Sequence, residues 1–264
     1  MNTVISKDGT HIAYDELGEG PPLVLVGGAF NTRTFGPNGG LAPLLAHRFT
    51  VINYDRRGRG DSTDTAPYSV EREIEDLEAL IAQTGGSAHV FGISSGAALA
   101  MEAANRGLDI DKLALYEAPF VVDDSRAPVP DDYLERLEGM VASDRRSDAI
   151  RLFMRQGVGV PAVFVAMMRI MPAWSKLKAV APTVIYDAAL VDDYQKGRPL
   201  PTDHWTSVTM PTLVAVGGKS PDWMRNAMRA LADVLDARHS TLEGQTHIVK
   251  PEALAPVLIE FFED

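Results

Sequence analysis

The sequence predicts an α/β fold with a mostly parallel sheet, on three observations. Short, largely apolar runs of four to eight residues alternate with longer stretches of helical periodicity, the pattern of strands joined by covering helices. The later strand runs are mainly apolar, four to eight residues each, as in a sheet whose later strands are parallel. One long interval, residues 121–205, breaks this rhythm with many prolines, several helical patterns and no strand pattern.

Taken in order, TVIS and HIAYDEL flank the turn KDG and read as a hairpin, and PPLVLVGG reads as a strand running into a glycine turn. FTVINYD, AHVFGIS, DKLALYEA, TLVAVGG and ARHSTLE supply the remaining strands. Between them Val70, Ile74, Leu77 and Ile81 recur at helical spacing, as do Met224, Met228, Leu231 and Leu235, and then Leu254, Val257, Leu258 and Phe261. Pro251 suits the first turn of the last helix, where its missing N–H needs no partner. The expected organisation is a core of residues 1–120 and 206–264 with a helical cap inserted at 121–205.

The 264 residues carry 25 Lys and Arg against 36 Asp and Glu, a net charge of −11. Such a field repels phosphate backbones and anionic lipid surfaces, so neither nucleic acid nor membrane is an expected partner. No apolar run reaches the eighteen or so residues that cross a bilayer, and the start MNTVISKDGTHIAYDE lacks the basic and apolar regions of a secretion signal. The expected location is the cytoplasm. The absence of cysteine excludes disulfides, thiolate metal sites and a cysteine nucleophile. No histidine–carboxylate spacing suggests a metal site, and no dinucleotide or phosphate-binding glycine motif occurs, so no cofactor is expected. RRGRGDS is one short loop in an acidic chain, which argues against an arginine–glycine RNA patch.

Chemistry concentrates where AHVFGIS runs into Gly92, Ile93, Ser94, Ser95 and Gly96, followed by the small, helix-forming run AALAMEAANRG. A G-x-S-x-G pentapeptide between a strand and a helix forces a tight turn that presents the serine above the sheet, next to a helix N-terminus that favours negative charge. His247, in the loop between the last strand and last helix, is the best candidate base, because a serine hydroxyl is a poor nucleophile until an imidazole takes its proton. His204, in the cap segment, competes with it.

With LVLVGGAF, INYDRRGRGDS, GISSG, PTLVAVGG and GQTHIVKPE in this order, the chain resembles the α/β-hydrolase family over nearly its whole length. The resemblance implies an eight-stranded, mostly parallel sheet flanked by helices with an inserted cap, and a nucleophile–acid–histidine order. It also implies an oxyanion hole formed by the backbone N–H of Ser95 and one from the turn Gly27–Phe30, with Ala29 the first choice and Phe30 the second. Gly27 stands where relatives commonly have histidine.

The family's usual acid position after strand seven falls in Gly217, Gly218, Lys219, Ser220, Pro221, where no carboxylate stands. Asp222 follows two residues later, where a first helical turn also explains an acidic residue. Certain lactonases and haloalkane dehalogenases of the family carry the acid after strand six, and there Glu117 closes the apolar run DKLALYEA, 23 residues beyond Ser94. Glu117 is the first candidate, ahead of Asp222 and of Asp123 or Asp124. The cap run with Phe164, Met167, Met168, Met171 and Trp174 is either plain core or, with Phe30, a wall for a bulky apolar group. The expected function is a serine hydrolase cleaving an apolar carboxylic ester or lactone, a small-molecule substrate, through an acyl-enzyme, with Ser94, His247 and Glu117 catalytic, Ala29 and Ser95 the oxyanion donors, and Phe30, Met167, Met168 and Trp174 at the substrate. A non-hydrolytic cyclase or lyase on this fold and a ligand-binding protein without turnover stay open, as does a homodimer.

Overall fold

The computed structural model describes residues 1–264. Eight strands form one sheet: β1 (Asn2–Ile5), β2 (His11–Leu17), β3 (Pro22–Val26), β4 (Thr50–Tyr54), β5 (Ala88–Ile93), β6 (Ile110–Tyr116), β7 (Thr212–Gly217) and β8 (Arg238–Leu242). Their spatial order is β1-β2-β4-β3-β5-β6-β7-β8. β1 and β2 pair antiparallel, as do β2 and β4, and every later pairing is parallel. The chain winds one way from β3 to β4 and then crosses back over β3 to β5. That reversal opens a crevice at the carboxyl ends of β3 and β5, the place where open α/β sheets hold their ligands.

The helices are α1 (Pro37–Leu45), α2 (Val70–Gln83), α3 (Ser95–Asn105), α4 (Tyr133–Ala142), α5 (Arg146–Leu152), α6 (Ala162–Met168), α7 (Ala173–Val180), α8 (Val184–Val191), α9 (Asp222–Val234) and α10 (Pro251–Glu263). Ile74, Leu77 and Ile81 of α2, the alanine-rich face of α3, and Met224, Met228 and Leu231 of α9 bury one sheet face. Leu41 and Leu45 of α1 with Leu254, Leu258 and Phe261 of α10 bury the other. The stretch expected as a cap contains α4 to α8 and no strand, and has its own apolar cluster around Tyr133, Leu137, Phe153, Trp174 and Val184. Phe30, from the turn after β3, belongs to that cluster and so joins cap to core. No helix is long and apolar enough to cross a membrane.

The loop after β4, read from sequence as a simple turn, buries Arg56, Arg57 and Arg59 completely. Arginine tolerates this only with carboxylates to match. Arg57 donates to both oxygens of Asp76 at 2.8 and 2.7 Å and to Asp8 at 2.9 Å. Burial opposes ionisation of Asp8, but hydrogen bonds from Thr10 and Arg57 outweigh it and hold its carboxyl down at about 2. A carboxylate held lower in the folded state than its unfolded value of 3.8 stabilises the fold above that value and ceases to as pH falls toward 2. The denaturant midpoint of the native protein should therefore fall more steeply between about pH 4 and pH 2 than that of Asp8→Ala. Parallel curves for the two proteins would refute the assignment.

Candidate active site

Ser94 follows β5 with φ 59° and ψ −129°, a backbone conformation that side-chain-bearing residues rarely adopt. Its neighbours explain how the chain tolerates the turn. A Cβ on Gly92 would stand 2.5 Å from Gly96 O and 2.7 Å from Ala97 Cα, and one on Gly96 only 2.3 Å from Val26 O. Both positions must be glycine for α3 to start this close to β5 and β3. The Ser94 N–H donates to Tyr116 O at 2.8 Å, tying the turn to β6.

Two other residues at this end of the sheet have positive φ without being glycine: Phe30 at 62° and Glu117 at 50°. Three of the protein's five such residues thus gather around one crevice, the clustering expected where strain is held for function. Gly28 lies directly against the serine, since a Cβ there would be 2.8 Å from Ser94 Cβ. Ala29 and Phe30 come next, within the turn proposed from sequence to supply an oxyanion donor. The Ser95 N–H is in the first turn of α3, where amides have no partner within the helix.

Glu117 closes β6 with no solvent exposure. Its Oε2 accepts from His247 Nδ1 at 2.8 Å, while Oε1 accepts from the Gly217 N–H at 2.7 Å and from Ser220 Oγ at 2.5 Å. A carboxylate can only accept, so Nδ1 carries the ring proton and Nε2 is left with its lone pair. The loop holding the ring is fixed from below: Tyr116 donates its hydroxyl to Thr246 O at 2.8 Å, and Lys219 N–H donates to Gln245 O at 2.8 Å. Ser220, in the turn after β7, braces Glu117 through its hydroxyl. Removing that one hydrogen bond in Ser220→Ala should lower kcat by about tenfold through a less firmly held Glu117. An unchanged kcat would show that the Gly217 N–H suffices.

The rival acids are engaged elsewhere. Asp222 is exposed and pairs with Arg225 on its own helix, and Asp123 accepts from Ser125 and Asn226. His204 faces Glu102 at 3.5 Å, beside the Trp205 and Tyr194 contacts to that same carboxylate. Glu102 stands seven residues along α3 from Ser95, roughly 10 Å up the helix axis from the serine turn. No group of three or more histidine, cysteine or acidic side chains is gathered as a metal site.

Residues 23–257 match the model of the alpha/beta hydrolase family. The chain belongs to that family. It is 54% identical to an alpha/beta hydrolase from Sphaerobacter thermophilus DSM 20745, whose crystal structure superposes with a TM-score of 0.90 over 99% of this chain and 100% of that one. The uncharacterized hydrolase YraK of Bacillus subtilis (strain 168) is 36% identical over 106 residues, a match that spans 38% of each chain. The enol-lactonase from Burkholderia xenovorans LB400 shares the fold at 21% identity, with a TM-score of 0.71 over the full length of both chains.

In this hydrolase helix α8 reaches down to the serine turn. Asp187 of α8, 1% exposed, accepts from Arg56 Nη1, from Arg59 Nη2 and from Ser95 Oγ, each at 2.7 Å. Burial opposes its charge, but Arg59 and Arg56 outweigh it and keep the carboxyl below its usual range. Arg56 also binds Glu73 through two bonds of 2.6 Å, so two cations and two anions balance inside the protein. Sequence reading missed this group. Its one trace in the sequence is three arginines within four positions, which a solvated loop explains equally well.

The residues expected to line a substrate wall are scattered. Phe30 packs edge-on to Phe153 with centroids 5.4 Å apart, in the cap cluster. Trp174 is buried in the same cluster and donates to Ser147 Oγ at 3.3 Å. Met168 packs against its edge, while Met167 is 56% exposed, along with Phe164, Ile170 and Met171.

Proposed function

We propose that this alpha/beta hydrolase cleaves a carboxylic ester or lactone through an acyl-enzyme on Ser94. The observation that carries the reading is the fully buried Glu117 bonded at 2.8 Å to His247 Nδ1, because it leaves Nε2 basic and aimed away from the acid. Ser94 Oγ attacks the carbonyl carbon while Nε2 takes its proton, and Glu117 stabilises the imidazolium that results. The carbonyl oxygen becomes an oxyanion between the N–H groups of Ala29 and Ser95, assisted by the positive end of α3. When the C–O bond breaks, the imidazolium protonates the alkoxide, which leaves as an alcohol or, from a lactone, stays attached to the acyl group. Water then attacks the acyl-enzyme by the same route and the carboxylic acid departs. Phe30, in the turn beside Ser94, is the proposed apolar contact for a bulky acyl or ring group, with Trp174 and Met168 in the cluster behind it and Met167 at its exposed outer edge.

A fluorophosphonate probe should label the native protein at a single residue, Ser94, as read by peptide mass spectrometry. p-Nitrophenyl esters and aliphatic lactones should turn over, with bulky or cyclic acyl groups preferred to acetate in kcat/KM. Turnover of neither class, or equal kcat/KM across acyl sizes, would count against the respective half of the proposal. Turnover of another substrate without an adduct would point to acid–base chemistry on the same residues.

A further inference from the structure

One carboxylate of the cap touches both arms of the proposed oxyanion hole. On one arm, Ser95 donates its side-chain hydroxyl to Asp187 Oδ1 at 2.7 Å while its N–H faces the helix start. On the other, Asp187 Oδ2 holds Arg59 Nη2 at 2.7 Å, and the second branch of that guanidinium, Nη1, donates to Gly28 O at 2.8 Å. Arg59 Nε is anchored on Thr183 Oγ1 at 2.9 Å, just before α8. Arg56 adds a weaker bond of 3.3 Å to Gly27 O.

The Gly28 carbonyl matters because it shares a rigid plane with the N–H of Ala29. The only cis peptide bond in the protein is elsewhere, so in this trans peptide C=O and N–H point in opposite directions. Whatever fixes the carbonyl aims the amide. Gly28, having no side chain, could otherwise rotate this plane at little cost. Its carbonyl has two donors: the local turn bond from Asn31 N–H at 3.2 Å, and the shorter, charge-assisted bond from Arg59.

We infer that Asp187 and Arg59 are positioning residues that orient the Gly28–Ala29 peptide, so that seating of cap helix α8 assembles the oxyanion hole. Neither touches substrate. The inference rests on the serine-hydrolase reading and adds to it a requirement that the cap be closed for the transition state to be stabilised. It also assigns the buried Arg59 a task that the bare fold does not demand.

Arg59→Met keeps the apolar stem of the side chain as far as the Nε position and removes all three polar contacts, to Thr183, Gly28 O and Asp187. Its kcat should fall on the order of 10²-fold with KM within about threefold, since only transition-state binding is lost. Affinity for a trifluoromethyl ketone, which adds to Ser94 and places its oxyanion in the hole, should fall in parallel, while affinity for the product carboxylate changes little. Asp187→Asn should act in the same direction. Asp8→Ala, which weakens the buried Arg57 group of the same loop without touching the turn, should lower Tm yet leave kcat within about threefold when assayed well below each Tm. Loss of kcat in all three variants in proportion to Tm, or a full kcat in Arg59→Met, would overturn the inference.

Two measurements guard against poor folding of the variants and against failure of the hydrolase reading. In a crystal structure of the native protein carrying a phosphonate on Ser94, the phosphonyl oxygen should accept from Ala29 and Ser95 N–H with Gly28 O still on Arg59. Acceptance from Phe30 N–H, with the Gly28 carbonyl turned, would refute the positioning role. If Ser94 forms no adduct, the hydrolase reading fails, and a crystal structure of unliganded Arg59→Met still decides whether Arg59 holds the peptide plane.

Discussion

Ser94→Ala should lower kcat for esters by about 10⁵- to 10⁶-fold while leaving the fold and ligand affinity intact. The size follows from what is removed: without Oγ no covalent intermediate forms, and the remaining rate comes from water attacking a carbonyl held in the oxyanion hole. Stability should barely change, because the turn is set by the backbone. The Ser94 N–H bond to Tyr116 O survives the substitution, and alanine meets the same φ of 59°. Circular dichroism and the thermal midpoint should match the native protein, and a competitive carboxylate inhibitor should bind with similar Kd. Residual turnover within about tenfold of native would remove Ser94 from the mechanism.

Glu117→Gln should cost about 10⁴-fold in kcat, more than loss of one charge suggests, because this site dictates how the amide must lie. Two donors, Gly217 N–H and Ser220 Oγ, meet one side of the carboxylate. The carbonyl oxygen of glutamine takes that side, since an NH₂ there would be set against the Gly217 N–H, which can only donate. The NH₂ then faces His247 Nδ1 and obliges that nitrogen to accept. The ring proton moves to Nε2, the atom that must receive the serine proton, and the base is switched off by tautomer alone. Asp222→Asn, by contrast, should leave kcat within about twofold, because its carboxylate lies against Arg225 in solvent. Steady-state kinetics of the two amide variants separates these outcomes, and the reverse ranking would place the acid at Asp222.

Much of this was legible before any coordinates. Strand and helix periods, the glycine pair around Ser94 and the chain order lie in local patterns of a few residues, and local patterns survive folding unchanged. Glu117 could be picked out because a carboxylate ending an apolar strand has no solvent to face. The Asp187 group could not, because Arg59 and Asp187 are 128 positions apart, and nothing in the irregular stretch 121–205 tells which of its many acidic residues turns inward. The role of Ser220 was hidden for a related reason: a hydroxyl has many reasons to sit in a turn, and only the position of Glu117 decides among them. Of the expected wall, Phe30 and Trp174 are buried and Met167 is exposed, because aliphatic and aromatic side chains at helical spacing announce burial on one side without saying against what.

Strands β6 and β7 are parallel neighbours, with Tyr116 beside Ala215, so their carboxyl ends lie about 5 Å apart. An imidazole hung over that pair can be approached from either rail. A glutamate rooted on the first, or a carboxylate rooted on the second, can deliver negative charge to much the same point in space, with the unused seat needing only a small donor to brace the one in use. Migration of the acid between rails is thus a short step for such a sheet, one that leaves the histidine loop and the serine turn in place.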